Sequence, residues 1–265
     1  MEMISSSAVA PQFSEGLPVR RFAMRVVSEV ARASDARQQV VDPILLRLVI
    51  RYALQGDTGL LNEIHAVMTQ RRFHPTDMMD VYLPQAVQQI GTAWHEDEID
   101  ILHASMAFSR IQDVLRELAR AWVSDRIGRD SDGRILVVLP SCEQHTLGAM
   151  FVTNQLRRKG VSVKVALAAS TDKVAALIDE HCFNGVFMSI SNPTSVTPCG
   201  ALIRELRREG AGTLPVVLGG SLVSAAKDDN ETGRIAKATG ADIVTNDVGQ
   251  ALRHCGIRQM AVASG

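Results

Sequence analysis

His145 stands where the first long run of β-forming residues gives way to a helical pattern, in the segment Pro140-Ser141-Cys142-Glu143-Gln144-His145-Thr146-Leu147-Gly148. Imidazole is the usual protein ligand for a transition metal, and its other nitrogen needs an acceptor that fixes the tautomer and raises ring basicity. Glu143, two residues earlier, is placed to be that acceptor. Gly148, three residues later, lacks a Cβ and lets a bulky group come close to the start of the helix. The competing reading is an exposed loop histidine near a helix N-terminus, a common surface feature. Two further loops carry small residues in series: Ser189-Ile190-Ser191-Asn192-Pro193 and Gly219-Gly220-Ser221.

The elements that must position these loops are legible from periodicity. Near-continuous apolar runs at Arg134–Leu139, Val161–Leu167, Gly185–Ile190, Leu214–Leu218 and Ala241–Thr245 read as parallel strands covered on both faces. Amphipathic stretches at about 146–159, 171–182, 196–209, 222–238 and 247–255 separate them. Five such units predict a flavodoxin-like doubly wound sheet of order 2-1-3-4-5, whose ligands lie beyond the carboxyl ends of the strands. The loops after strands one, three and four are therefore the ones to inspect, and they are the three loops above.

The chain before residue 130 has a different character. Asp42-Pro43 opens a helix carrying Ile44, Leu45, Leu48, Val49 and Tyr52. Gly56-Asp57-Thr58 ends it and caps a second, which runs to Phe73; Pro75-Thr76-Asp77 opens a third, through Val81, Leu83, Val87 and Ile90 to Trp94. Asp100 caps a fourth, through Ala104, Phe108, Ile111, Leu115 and Leu118 to about Trp122. Short connections imply an antiparallel bundle. The predicted class is α + α/β: an N-terminal helical bundle followed by the doubly wound parallel sheet. Its parts are an arm with a possible helix at 1–40, a four-helix domain at 41–127 and the α/β domain at 133–265, with the polar linker Gly128–Gly133 between them.

Composition narrows the function. With 28 basic and 29 acidic side chains the net charge is −1, which argues against binding nucleic acid mainly by bulk charge. Arg20, Arg21, Arg25 and Arg32, or Arg71-Arg72, could still contact a protein or DNA partner, against the alternative of solvated surface charge. Two Trp, two Tyr and seven Phe are too few for widespread base stacking. No apolar run approaches the roughly 18 residues that span a bilayer, so a cytoplasmic protein without membrane association is expected. Cys142, Cys182, Cys199 and Cys255 form no C-x-x-C pair, and reduced, mostly buried thiols are expected. The first βα turn lacks G-x-G-x-x-G and the chain lacks a P-loop, which excludes a nucleotide-binding Rossmann domain. A receiver domain needs an Asp at the end of the third strand, where serines stand here.

Taken together, the three loops resemble the cobalamin-binding domain family, whose signature is D-x-H-x-x-G, about forty residues, S-x-L, about 27 residues, then G-G. His145 and Gly148 match the first motif, with Glu143 at the Asp position; forty residues separate Gly148 from Ser189, and 27 separate Ser191 from Gly219-Gly220. Two departures are Glu143 for Asp and Ser191 for Leu. The resemblance implies that His145 is the lower axial ligand of cobalt (base-off, His-on) with Glu143 as its partner. It also implies that the nucleotide tail lies in a slot contacted by Gly148, Ser189, Ser191, Gly219 and Gly220. The segment Gly91 to Ile99 is similar to the helical cap of cobalamin-dependent photoreceptors and corrinoid carriers. There Trp94 matches a Trp over the upper face of the corrin, against the alternative of plain bundle core. The photoreceptors' Glu-His pair falls on Ala104-Ser105; His103 and His95 are nearby candidates for the upper face, each against the alternative of an ordinary surface or core histidine.

The departures, the missing Glu-His pair and the N-terminal arm resemble the AerR/PpaA group of antirepressors, which act on the CrtJ/PpsR repressor of photosystem genes. That resemblance implies a non-enzymatic regulator. It would bind hydroxo- or aquocobalamin, with adenosyl or methyl forms as light-labile precursors, and would reach DNA through the repressor. In this reading light opens the upper cobalt site, and the helical domain closes over the corrin. The rival readings are a corrinoid carrier of a methyltransferase system and a scaffold that binds no cofactor.

Overall fold

A computed structural model describes residues 41–123, 133–209, 213–226 and 228–257. The arm at 1–40, with Arg20, Arg21, Arg25 and Arg32, and most of the 128–133 linker lie outside them. The chain divides between Ala121 and Trp122 into two compact units.

In the first unit, helix α1 (Pro43–Gln55) begins as its sequence requires. The Asp42 carboxylate accepts the N–H groups of Ile44 (2.7 Å) and Leu45 (3.3 Å), two donors that a helix start leaves without partners. Buried Asp42 is also ion-paired with Arg71, whose side chain stays partly exposed. The helix stops at Gly56, whose φ of 71° is accessible to glycine at little cost. Arg110 then donates to the last carbonyls, Ala53 (2.7 Å) and Leu54 (2.9 Å). A Cβ on Gly56 would lie 2.8 Å from its Nε.

Helix α2 spans Gly59–Gln70. The third helix departs from a simple 3.6-residue repeat. A turn at Pro75–Asp77 leads into a π-helical stretch, Met78–Tyr82, and only then into α3, Leu83–His95. Pro84 has no N–H for an i→i−4 bond, and Leu83 N–H bonds back five residues to the Met78 carbonyl. The wider turn buries Met78, Met79, Tyr82 and Leu83 together, while the expected Val81 and Val87 are only half-buried. Helix α4 (Ile101–Val123) is capped by Asp100, as its sequence predicts, and buries Ala104, Ile111, Leu115 and Leu118.

The second unit is the predicted doubly wound domain. Its elements are β1 (Arg134–Pro140), α5 (Thr146–Arg158), β2 (Ser162–Ala169), α6 (Thr171–Glu180) and β3 (Gly185–Ser189). There follow α7 (Val196–Arg208), β4 (Val216–Gly219), α8 (Ser221–Ala225), α9 (Asp229–Thr239), β5 (Ile243–Val244) and α10 (Val248–His254). The sheet is all parallel in the order β2-β1-β3-β4-β5. Each face has its own core, one around Leu136, Met188 and Leu218, the other around Ile135, Val137 and Phe187.

Three expectations are corrected. The helix expected at 222–238 is two helices, because the Asp228 carboxylate accepts the Glu231 N–H and starts a new one. The second strand is an edge strand, not one buried on both faces: Val165 and Leu167 are exposed. Near its end three β2 steps, Ala166 to Ala169, match two on β1, Val138 to Pro140, with Ala168 at φ 46°. This is a bulge. Among the cysteines, Cys199 and Cys255 are buried but Cys142 and Cys182 are exposed.

Candidate functional site

The strand order reverses between β1 and β3, and the carboxyl ends of these two neighbours carry the His145 and Ser191 loops. After β1 the Glu143 N–H donates to the Pro140 carbonyl (2.9 Å), a turn that folds the glutamate inward. Its side chain is only 2% exposed. A carboxylate in that position must be matched by donors, or burial would neutralise it.

The donors are present. Oε1 accepts the N–H groups of Gln144 and His145, both at 3.0 Å, and lies 2.5 Å from His145 Nδ1. Oε2 accepts the Ser191 N–H (2.8 Å) and the Ser195 hydroxyl (3.3 Å). Burial pushes the Glu143 pKa up, but hydrogen bonds from Ser191 and His145 outweigh it and hold the carboxyl at about 2. Glu143 is thus ionised at neutral pH and has no proton to give. The hydrogen between it and the ring therefore belongs to Nδ1, and the tautomer this selects in a neutral ring offers Nε2 as the acceptor. The extra methylene of Glu143 relative to Asp leaves this bond intact. The His145 side chain is 60% exposed, and among the described residues Nε2 has no hydrogen-bond partner. The ring is held from behind and open in front, the arrangement a metal-ligating histidine requires.

Ser191 does more than donate its N–H: its Oγ lies 2.6 Å from His145 Nδ1. Ser195 was missed by the sequence reading. Its signal was local, in Asn192-Pro193-Thr194-Ser195. Asn192 Oδ1 accepts the N–H and hydroxyl of Thr194, both at 2.9 Å, and the one-turn helix Pro193–Ser195 carries buried Ser195 back to Glu143.

The small residues are close together, but the space beside each is filled by the chain itself. A Cβ on Gly148 would lie 2.6 Å from Ser189 Oγ, and one on Gly220 only 2.2 Å from the Ile190 carbonyl oxygen. Gly220 also sits at φ 114°. A Cβ on Gly219 would lie 2.9 Å from Asn246 Oδ1. These glycines therefore serve close packing of the strand ends, which the expectation of a path for a nucleotide tail did not include. Asn246, also missed, accepts the Gly220 N–H (2.8 Å) and donates to the Gly220 carbonyl (3.0 Å), holding both peptide groups of that residue from just beyond β5.

Trp94 and His103 belong to the helical unit. Trp94, in the last turn of α3, is 40% exposed and so is not plain core. Ile101, Leu102 and Met106, in the first two turns of α4, are also exposed. His103 Nδ1 lies 2.7 Å from Asp100 Oδ1, and both side chains are 61% exposed. His95 ends α3, and Ala104, where the photoreceptors' pair would begin, is buried.

The fold and this loop define a class: residues 133–246 match the B12 binding domain family, and the chain carries a cobalamin-binding domain. Over 172 residues it is 33% identical to the "uncharacterized 20.5 kDa protein in bchF-crtJ intergenic region" of Rhodobacter capsulatus, covering 65% of this chain and 86% of that one. The chain belongs to the family of that protein, the AerR-type cobalamin-binding proteins. Among solved structures it is similar to the Methanosarcina barkeri monomethylamine corrinoid protein. The TM-score is 0.61 at 16% identity, over 80% of this chain and 94% of that one. It is also similar to a cobalamin-binding protein of Desulfitobacterium hafniense DCB-2, with TM-score 0.41 at 15% identity, over 82% and 98%. Among the described residues no helix is long and apolar enough to cross a membrane.

Proposed function

We propose that this protein is a light-responsive transcriptional antirepressor rather than an enzyme, binding hydroxo- or aquocobalamin base-off through His145 and acting in the cytoplasm on a CrtJ/PpsR-type repressor. The observation that carries the ligation is the His145 ring, whose Nδ1 proton faces an ionised, buried Glu143 while Nε2 points away. The regulatory role is supported by the Rhodobacter capsulatus relative, whose name places it in the bchF-crtJ intergenic region.

Bound cobalamin would supply an exchangeable metal coordination site and, in its adenosyl and methyl forms, a light-labile cobalt–carbon bond. His145 Nε2 would hold the cobalt, and Glu143, accepting the Nδ1–H, would fix the ring in the tautomer that presents Nε2. Trp94, Ile101, Leu102 and Met106 give the helical unit an exposed apolar end of the kind that covers a hydrophobic ligand or partner. A cofactor shifts conformation only through different affinities for two states. Dark and illuminated forms must therefore bind differently.

The test is uptake of adenosylcobalamin followed by absorption, in darkness and after illumination, together with repressor release from its DNA. Weak dark uptake that rises with light and relieves repression is expected; equal uptake in both conditions removes the light-sensing reading. The second reading, a corrinoid carrier, is favoured by the fold shared with the Methanosarcina protein. Methyl transfer to a thiol acceptor at catalytic rates with a partner enzyme would select it.

A further inference from the structure

The His145 ring is more than half exposed, and Glu143, its carboxylate neighbour, belongs to the same short loop. A single acceptor in the same loop would let ring and loop swing together. The second oxygen near Nδ1 comes from 46 positions away, on the loop after β3. Ser191 Oγ at 2.6 Å and Glu143 Oε1 at 2.5 Å flank the same nitrogen, and the Ser191 N–H returns to Glu143 Oε2 at 2.8 Å. The three residues close a ring of hydrogen bonds that spans two strands.

We propose that Ser191 is a positioning residue: its hydroxyl is the second anchor of the His145 Nδ1–H and fixes the direction in which Nε2 is presented to cobalt. The proposal rests on the cobalamin reading above. It also makes the two departures from the family signature one change. The added methylene of Glu143 carries one carboxylate oxygen to the Ser191 N–H while the other stays on the ring. The hydroxyl of Ser191 stands where a leucine would offer no oxygen. Second-sphere partners of this kind typically alter metal affinity about 10- to 100-fold.

The experiment uses the full chain with 15N-labelled histidine and no cobalamin, comparing wild type with Ser191→Ala, Ser191→Leu and Ser191→Thr. The His145 Nδ1–H resonance is assigned by its disappearance in His145→Ala. Wild type and Ser191→Thr are expected to show a protected resonance, and the Ala and Leu variants exchange at least roughly 10-fold faster. Hydroxocobalamin is then titrated: Ser191→Ala should bind about 10-fold more weakly, and Ser191→Thr within about twofold of wild type. Unchanged proton exchange in Ser191→Ala overturns the proposal whether or not cobalamin binds. Failure of wild type to take up hydroxocobalamin sinks the functional reading instead, and the proton signal still decides the role of Ser191. Should the leucine variant not fold, the alanine and threonine pair gives the answer.

Discussion

Among the described residues one local device occurs twice, a carboxylate bonded to the Nδ1 of a histidine at a helix start: Glu143–His145 at 2.5 Å and Asp100–His103 at 2.7 Å. They differ in what stands behind the carboxylate. Glu143 is buried and takes five donors from two loops, whereas Asp100 is exposed and takes its hydrogen bonds from the first turn of its own helix. A carboxylate bonded to an imidazole is thus not by itself a site. Burial with full satisfaction holds the ring in one orientation, as a metal ligand needs, while exposure leaves an ordinary helix cap.

The sharpest way to break this comparison is to delete each ring in turn. His145→Ala should abolish the shifted spectrum of bound hydroxocobalamin and weaken retention more than about 100-fold, beyond the range typical of second-sphere changes. His103→Ala should change retention by no more than about twofold, within the scatter of surface substitutions. Equal losses in a titration of both variants would show that the exposed pair also holds cobalt.

A smaller effect follows from acid. Glu143 is lowered from 4.5 to about 2 in the fold, so its contribution is complete above pH 4.5 and lost as pH falls through about 2. At about 1.4 kcal/mol per unit this reaches about 3 kcal/mol. Urea unfolding at pH 6 and pH 3 should show about 2 kcal/mol of that loss in wild type and not in Glu143→Gln. Asp100, also lowered by its hydrogen bonds from His103 but exposed, should contribute less, so Asp100→Asn should reduce the acid dependence by a smaller amount than Glu143→Gln.

The smallest contrast is steric. Gly148→Ala places a methyl against Ser189 Oγ and should destabilise by about 1–3 kcal/mol. On α3 in the helical unit, a Cβ on Gly91 meets nothing within 4 Å, and Gly91→Ala should stabilise by about 0.5–1 kcal/mol through helix propensity. Thermal unfolding of the two variants should move in opposite directions.

Much of this was legible in the sequence because it is carried by local chemistry and spacing. Strand order, the Asp42 and Asp100 caps, and the Glu143–His145 pair follow from short-range patterns. Ser195 and Asn246 were not legible, since each matters only through a partner 52 or 26 positions away. The π-helical turn was hidden because Pro84 reads as a helix-compatible residue until its missing N–H is set against the carbonyl four residues back. The break at Asp228 was present as a capping residue, but the apolar repeat on either side masked it. The glycines were recognised as special, yet whether the chain or a ligand fills the space beside them is a tertiary fact.

The bulge at the end of β2 has a bearing on self-association. An open sheet border offers unpaired amides to any other extended segment. Here the turn of the chain at Ala168 interrupts that ladder near the rim that carries the His145 loop. Two copies crowded together could not zip regularly along this margin as far as the rim, and exposed Lys164 on the same strand adds a charge against fibrous growth from it.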